Sequence, residues 1–403
     1  MNSNLKSIIL LAFLTCNLPF QAFAQKETIN LASAIDSALQ NNLGLKSAQQ
    51  RVEAKRAMIP AGFNLDKTQV FYRHDQNDIA ENGYSNKVFG ISQSIQFPTV
   101  YGSQRKVYED MGMVEQQQYL LSQNQIIKEV SQTYYSIVYL QKLEDNYRFL
   151  DSLYQQFSIA ATRRYELGET NYLEKLTARS KMRELSVRLQ QTSENKNQAY
   201  VRLEQLIQIG REFEIPDQEL LPLLTQNWDL ETHPGVQFYQ QSINLKMDNV
   251  SLEKQRLLPD LHGEFFRGTN TGPNARIYPG VQVGVSIPLW FGAQKAKIKS
   301  SQFDLVQTSL AAENYSFQLT NRRSQLEIEL QKFQEAISFY NQEGKQLSKQ
   351  LIAQGNQAYK GGEIDFFQYV LLIENSRNIE VDYLSNLQGY NMTVLEINYL
   401  INP

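Results

Sequence analysis

Tyr165-Glu166-Leu167-Gly168-Glu169 recurs as Tyr359-Lys360-Gly361-Gly362-Glu363, 194 residues further along the chain. Two more matches keep the same order. Ser94-Ile95 followed by Gly102-Ser103-Gln104-Arg105-Lys106 returns as Ser286-Ile287 followed by Gly292-Ala293-Gln294-Lys295, at offsets of 192 and 190. Met58-Ile59-Pro60 returns as Leu257-Leu258-Pro259, at an offset of 199. Ordered matches at similar spacing mark an internal duplication. The 403 residues thus divide into a leader at 1–24, units at 25–210 and 233–403, and a joining segment at 211–232 that holds prolines and many acids.

Each unit reads helix, strand, strand, long helix, turn, helix. In the first, a helix over 31–58 ends at Pro60, which cannot continue it. Strands are expected at 67–74 and 87–97, and a proline-free helix from Gly102 to Arg164. Gly168 breaks that helix, and a return helix covers 172–209. The second unit repeats this with a helix to Leu258, strands at 261–267 and 281–289, a helix over 293–359, a break at Gly361-Gly362 and a helix over 366–400.

The leader has Lys6, an apolar stretch over 7–20, and Ala22-Phe23-Ala24 as a small-x-small cleavage signal. That is a secretory signal, too short to cross a bilayer as a helix of ~20 residues. Cleavage after Ala24 would leave Gln25 first. The rival reading makes Cys16 a lipidated N-terminus, which Phe13-Leu14-Thr15 fits poorly. Cys16 is the only cysteine, so the processed chain is expected to have no disulfide and no thiolate metal site. Without Lys6, the 39 basic residues fall to 38 against 42 acidic ones. That balance gives no sign of nucleic acid as a partner. Mean hydropathy is −0.44, compatible with a soluble protein or a β-barrel, whose alternating strands raise no hydropathic peak.

Two periods run through the units. In the first unit's second strand, Phe89, Ile91, Ile95 and Phe97 share a face, interrupted by Gln93. Gly90, Ser92, Ser94 and Gln96 share the other. In the second unit Val281, Val283, Val285, Ile287 and Leu289 alternate with Gln282, Gly284 and Ser286. Such strands suit a lipid-facing wall with a wet interior, or a half-buried sheet on a soluble core. Four strands cannot close a barrel, and an open edge in lipid leaves backbone groups unpaired. Three chains would supply twelve strands. Phe97, Tyr101, Trp290 and Phe291 are then expected at the membrane interface. In the long helix, Ile126, Val130, Tyr134, Ile137, Leu140, Leu143, Tyr147, Leu150, Tyr154 and Phe157 step by three and four, the seam of a coiled coil or bundle.

The leader, the duplication and the long helices turning at Tyr-x-x-Gly-Glu together resemble the TolC-like outer-membrane efflux family. Ser286-Ile-Pro-Leu-Trp-Phe-Gly292 resembles that family's strand-to-helix joint. The resemblance covers the processed chain. It implies a mainly α fold with a small β part. Two tandem helix–strand–strand–helix repeats would form long helical hairpins of a periplasmic tube, with four strands per chain in a trimeric 12-stranded transmembrane barrel. It implies a homotrimer in the outer membrane of a Gram-negative bacterium, in contact with outer-membrane lipid, with a periplasmic adaptor and an inner-membrane RND-type pump as partners. Segments 74–86 and 268–279 would be extracellular loops, and 211–232 part of a belt around the tube. Ser94-Ile-Gln-Phe-Pro-Thr-Val-Tyr-Gly102 and Asn41-Asn42-Leu43-Gly44-Leu45 look most like the CzcC/CusC-type heavy-metal branch. A drug-efflux or type I secretion duct shares these features, and a soluble periplasmic coiled-coil scaffold or chaperone is the reading from another class.

No catalytic constellation is present, so an enzyme is not expected and no cofactor is implied. His74, His233 and His262 form no H-x-x-x-H or H-E-x-x-H motif, and there is no phosphate loop or G-x-S-x-G. Met111 and Met113 read as helix packing. The resemblance makes the two turns the adaptor-docking tips, with Tyr165, Leu167, Gly168, Glu169, Tyr359, Gly361, Gly362 and Glu363 as candidates. Glu169 and Glu363 would cap the helices that follow. It also implies a gate of acids early in the return helices. Glu174 and Asp365 are the candidates, since the second unit has Gln368 and Leu371 where paired acids are expected.

Overall fold

In the computed structural model, residues 27–226 and 230–401 are described. The expected leader, its cleavage site after Ala24, and Cys16 lie outside the described residues. In chain order, β1 (Glu27–Thr28) precedes α1 (Leu31–Asn41), α2 (Leu43–Ala57), the hairpin β2 (Gln69–Ile79) and β3 (Ser85–Ile95), α3 (Pro98–Glu166) and α4 (Tyr172–Ile207). Then come β4 (Phe213–Glu214), α5 (Pro234–Gln255), the hairpin β5 (Asp260–Thr269) and β6 (Tyr278–Ser286), α6 (Gly292–Phe339), α7 (Lys345–Lys360) and α8 (Phe366–Ile401). The long helix α3 has 69 residues, and α6 to α7 occupies the same length 194 positions later. Both return helices have 36 residues. A 69-residue helix is about 100 Å long.

Several local readings shift for identifiable reasons. The helix expected over 31–58 is two helices, because Asn42 caps α2 by accepting from Leu45 N at 3.1 Å. Its amide also donates to Leu206 O at 3.0 Å, tying this corner to the end of α4. Pro98 starts α3 at the first turn, where a missing N–H costs nothing, so the helix begins before Gly102. The expected loops at 74–86 and 268–279 are shorter, since β2 runs to Ile79 and β5 to Thr269. The second long helix is not continuous. One wide π turn (Tyr340–Gly344) separates α6 from α7, beside a stacked Tyr340–Tyr383 pair at 3.8 Å.

The helical seam is buried as its period requires. Val130, Tyr134, Ile137, Leu150 and Phe157 are at most 2% exposed. They meet Leu203, Ile207 and Ala178 of α4 and Leu387 and Val370 of α8. Segment 211–232 is stitched across these helices. β4 pairs in parallel with β1. Asn391 of α8 accepts from Leu223 N and donates to Leu221 O, both at 2.9 Å. Seven residues on, Asn398 repeats this with Gln226 N at 2.8 Å and Leu224 O at 2.9 Å. Two side-chain amides thus act as a strand edge for the passing chain.

Near the sheet, α3 meets α5 through an acid pair. Asp110 is 2% exposed, and its Oδ1 accepts from Lys106 Nζ at 3.0 Å. Asp248 of α5 hydrogen-bonds to Asp110, and this bond, helped by burial and the nearby Asp110 charge, pushes its carboxyl up to about 6 against a partial opposing pull from Lys106. A carboxyl whose folded pKa lies above its unfolded value stabilises the fold in acid, and that contribution is lost as pH rises through about 6. Asp248→Asn, which keeps a donor beside Asp110 at every pH, should melt with the unsubstituted protein at pH 4 and several degrees above it at pH 7.5. Parallel melting curves at both pH values would show that the pair carries no such linkage.

Candidate functional site

The four long strands form one antiparallel sheet in the order β2-β3-β5-β6. Its register sorts side chains into two chemically different faces. Val70, Ile91, Phe265 and Val281 face one another along a row across all four strands. Each is at least half exposed, as are Phe89, Val283 and Val285 on the same face. The opposite face carries the row Gln69, Ser92, Glu264 and Gln282. Ser94 and His262 are joined there by a hydrogen bond of 3.2 Å. A sheet that exposes its apolar side and keeps polar side chains on the other has its faces set for a hydrocarbon surround and a wet interior. No helix among the described residues is long and apolar enough to cross a membrane.

The first strand of each hairpin alternates poorly in sequence because Phe71 and Phe266 sit on the polar face. Both cover glycines. A Cβ on Gly90 would lie 2.3 Å from the Phe71 ring, and one on Gly280 would lie 2.2 Å from the Phe266 ring. Each ring fills the gap left by a facing glycine.

The aromatics at the strand-to-helix joints divide. Tyr101 is buried, lies tilted against Phe63 with ring centroids 5.1 Å apart and accepts from Gln96 N at 2.9 Å. Phe97 packs with Val100, Val107 and Leu252. Both belong to the joint's interior, which corrects their expected place at a membrane interface. Trp290 is 90% exposed, with Leu289 and Phe291 exposed beside it. Of the two methionines, Met111 packs on that same joint cluster while Met113 is exposed. No group of three or more His, Cys, Asp or Glu that could hold a metal occurs among the described residues. His233 caps α5 by accepting from Gly235 N at 2.9 Å, and burial lowers its ring to about 4, so it is neutral.

The two turns at the far end share one geometry. Gly168 N donates to Tyr165 O and Glu169 N to Arg164 O; Gly362 N donates to Tyr359 O and Glu363 N to Ala358 O. Gly168 and Gly362 both have φ of 73°, the left-handed helix stop that glycine adopts without penalty. Tyr165 and Tyr359 lean across their turns onto the return helices, against Tyr172 at 5.7 Å and Phe366 at 5.6 Å. Leu167, Gly168, Glu169, Gly361, Gly362 and Glu363 are exposed. The expected caps are corrected: Asn171 caps α4 by accepting from Glu174 N at 2.9 Å. Asp365 caps α8 in a reciprocal box with Gln368, at 2.8 and 3.1 Å. Glu169 and Glu363 are the residues whose amides close the preceding helix.

Glu174 is held from two sides. Arg164 Nη1 donates to its Oε1 at 3.1 Å, and the Thr170 hydroxyl donates to Oε2. Asp365 is exposed while capping. Behind the turns lies a contact that sequence pattern did not reveal. Tyr154 of α3 donates to Glu374 of α8, and Lys181 of α4 pairs with the same carboxylate at 2.8 Å. Burial, then the hydrogen bond to Glu374, hold the Tyr154 phenol far above its usual range. Three helices from both hairpins thus converge on one carboxylate.

No protein-family model and no curated protein matches the sequence. Solved structures do. A membrane protein from Pseudomonas aeruginosa aligns with a TM-score of 0.74 at 14% identity, over 92% of this chain and 93% of that one. CusC, solved in a study of folding and transmembrane channel formation, aligns at 0.75 and 13% identity, over 94% of both. The outer membrane protein VceC from Vibrio cholerae aligns at 0.73 and 13%, over 92% of this chain and 95% of that one. This chain has their fold. The likeness covers 92 to 94% of this chain.

Lys181→Met should destabilise the hairpin end by about 2 kcal/mol, because it strips a buried carboxylate of its cation. Lys181→Met with Glu374→Gln should recover most of that loss in thermal melts. An unrecovered double variant would show that Lys181 acts through packing of its stem.

Proposed function

We propose that three copies of this chain form an exit duct in the outer membrane of a Gram-negative bacterium. The observation that carries the reading is the sheet. Its apolar face is exposed, its other face is polar, and both its edges lack strand partners among the described residues. A soluble scaffold would have to bury that row; a barrel of twelve strands in lipid uses it. The end-to-end likeness to solved outer-membrane proteins supports the same reading. On it, the units at 25–210 and 233–403 each give one hairpin of barrel wall and one hairpin of periplasmic tube, with 211–232 as the belt.

The tube's far end would dock a periplasmic adaptor that joins the duct to an inner-membrane RND-type pump. The exposed, backbone-accessible turns at Gly168 and Gly362 are the docking surface in this proposal. Heavy-metal cations are the proposed cargo, on the resemblance of 94–102 and 41–45 to the CzcC/CusC-type branch. Purified protein should form conducting channels in planar bilayers; failure to conduct or to insert would remove the duct reading. Replacing Gly168 and Gly362 together by valine should abolish resistance in cells at least tenfold while leaving bilayer conductance intact. Normal resistance in that variant would move the docking surface elsewhere.

Glu174 and Asp365 remain the gate candidates of this proposal, now with defined partners. Because Arg164 neutralises Glu174, Glu174→Ala should expose an uncompensated ring of arginines. Cation preference in bilayers should then fall, with the trimer intact. Unchanged selectivity would take Glu174 off the conduction path.

A further inference from the structure

The sheet has one junction between units inside the chain and two edges left over. Within a unit, the first strand lays a phenylalanine over a glycine of the second: Phe71 over Gly90, and Phe266 over Gly280. These pairs are register partners. The junction between units is β3 with β5, where Gly90 faces Phe266. The row across the sheet therefore reads Phe71, Gly90, Phe266, Gly280, one alternation carried through three pairings.

Duplication makes the next pairing derivable. Phe71 is the counterpart of Phe266, and Gly280 is the counterpart of Gly90. The junction that joins Gly90 to Phe266 within the chain has only one analogue, from Gly280 to a Phe71 supplied by another copy. We propose that β6 pairs antiparallel with β2 of a neighbouring copy, in the register that sets Gly280 opposite the partner's Phe71. This rests on the duct reading and adds what that reading leaves open, the residue-by-residue seam between subunits.

The register has consequences on both faces. Val281 then faces the partner's Val70, so the exposed apolar row continues unbroken from one subunit to the next. Gln282 faces the partner's Gln69, continuing the polar row. A slip of one residue would put apolar side chains on the polar face along the whole strand. A slip of two keeps the faces but sets the partner's Phe71 against Gln282 or Tyr278, breaking the Phe–Gly alternation. Among registers within two residues of it, only the proposed one satisfies both constraints, and it is the one the duplication gives.

Cysteine pairs test it cleanly, since Cys16 is the chain's only cysteine. Facing side chains across an antiparallel seam have Cβ atoms about 4.5–5.5 Å apart, near enough for oxidation to bridge them with slight movement. Full-length protein in detergent carrying Val70→Cys with Val281→Cys should give covalent dimers and trimers on non-reducing gels. The yield should be at least tenfold above that of Val70→Cys with Pro279→Cys, of Val70→Cys with Val283→Cys, and of each single variant. A higher yield from either shifted pair, or no bridge in any pair, overturns the register when light scattering of the reduced protein gives a trimer mass. A monomer mass in that measurement overturns the duct reading and the seam together.

Discussion

Every peptide group along a strand edge needs a hydrogen-bond partner, and the sheet of this protein has two edges without a partner strand among the described residues. Water can supply such partners to a soluble sheet, but a soluble sheet would not also turn Val70, Ile91, Phe265 and Val281 outward. In hydrocarbon the exposed row is favourable, and the edges become the expensive feature, at several kcal/mol per unpaired group. In the duct proposed above, closure on further copies resolves the two properties together. A closed wall built from two hairpins per chain would have to hand each strand end to a helix at a fixed spacing, and the rest of the molecule fits that constraint.

The joints perform that handover. Pro98 starts α3 three residues after β3 ends, and Tyr101 and Phe97 fold inward to fill the corner. Below the joint, the long helices present a different difficulty. An apolar seam that steps steadily by three and four tolerates axial slip, since one turn looks much like the next. Single polar contacts inside the seam do not. Ser348 meets Ser376 at 2.7 Å, Asn391 and Asn398 each hold two backbone groups, and Glu374 gathers Tyr154 and Lys181. The serine pair and Glu374 fix one helix against another at one height, and the asparagines fix α8 against the joining segment, so tips about 100 Å from the joints still arrive at a common level.

The duplication, the long helices and the glycine stops were legible in the sequence because each depends on local chemistry: proline exclusion, a steady apolar step, and glycine where φ turns positive. Gly168 and Gly362 end their helices as read, and of the seam residues Val130, Tyr134, Ile137, Leu143, Leu150, Tyr154 and Phe157 are buried as read, with Leu140 and Tyr147 half-buried. What was hidden depends on distant partners. Phe71 and Phe266 blur the strand alternation because glycines on neighbouring strands call for a ring on the polar face. The break at Asn42 answers to Leu206, and the convergence on Glu374 joins residues 154, 181 and 374. The misread caps have a simpler cause. Glu169 sits after a glycine stop, where its amide is consumed by Arg164 O, leaving Asn171 as the residue with extended backbone that a cap requires.

The two units are alike where they meet the same surroundings and differ where they do not. Their long helices match in length and their turns match bond for bond. Equivalence fails at the level of the joining segment. There α3 continues as an unbroken α-helix, whereas its counterpart widens into the π turn at Tyr340–Gly344 before α7 begins. The first unit holds the start of the joining segment, where Gln141 of α3 donates to Ile215 O at 3.1 Å and Tyr200 of α4 accepts from Ile215 N at 3.2 Å, while asparagines of α8 hold residues 221 to 226. A chain that crosses once from the first unit to the second cannot lie symmetrically on both, so each helix pair meets a different part of it. In the proposed trimer the strand rows would repeat at every hairpin, while the tube below would keep only the threefold symmetry of the assembly.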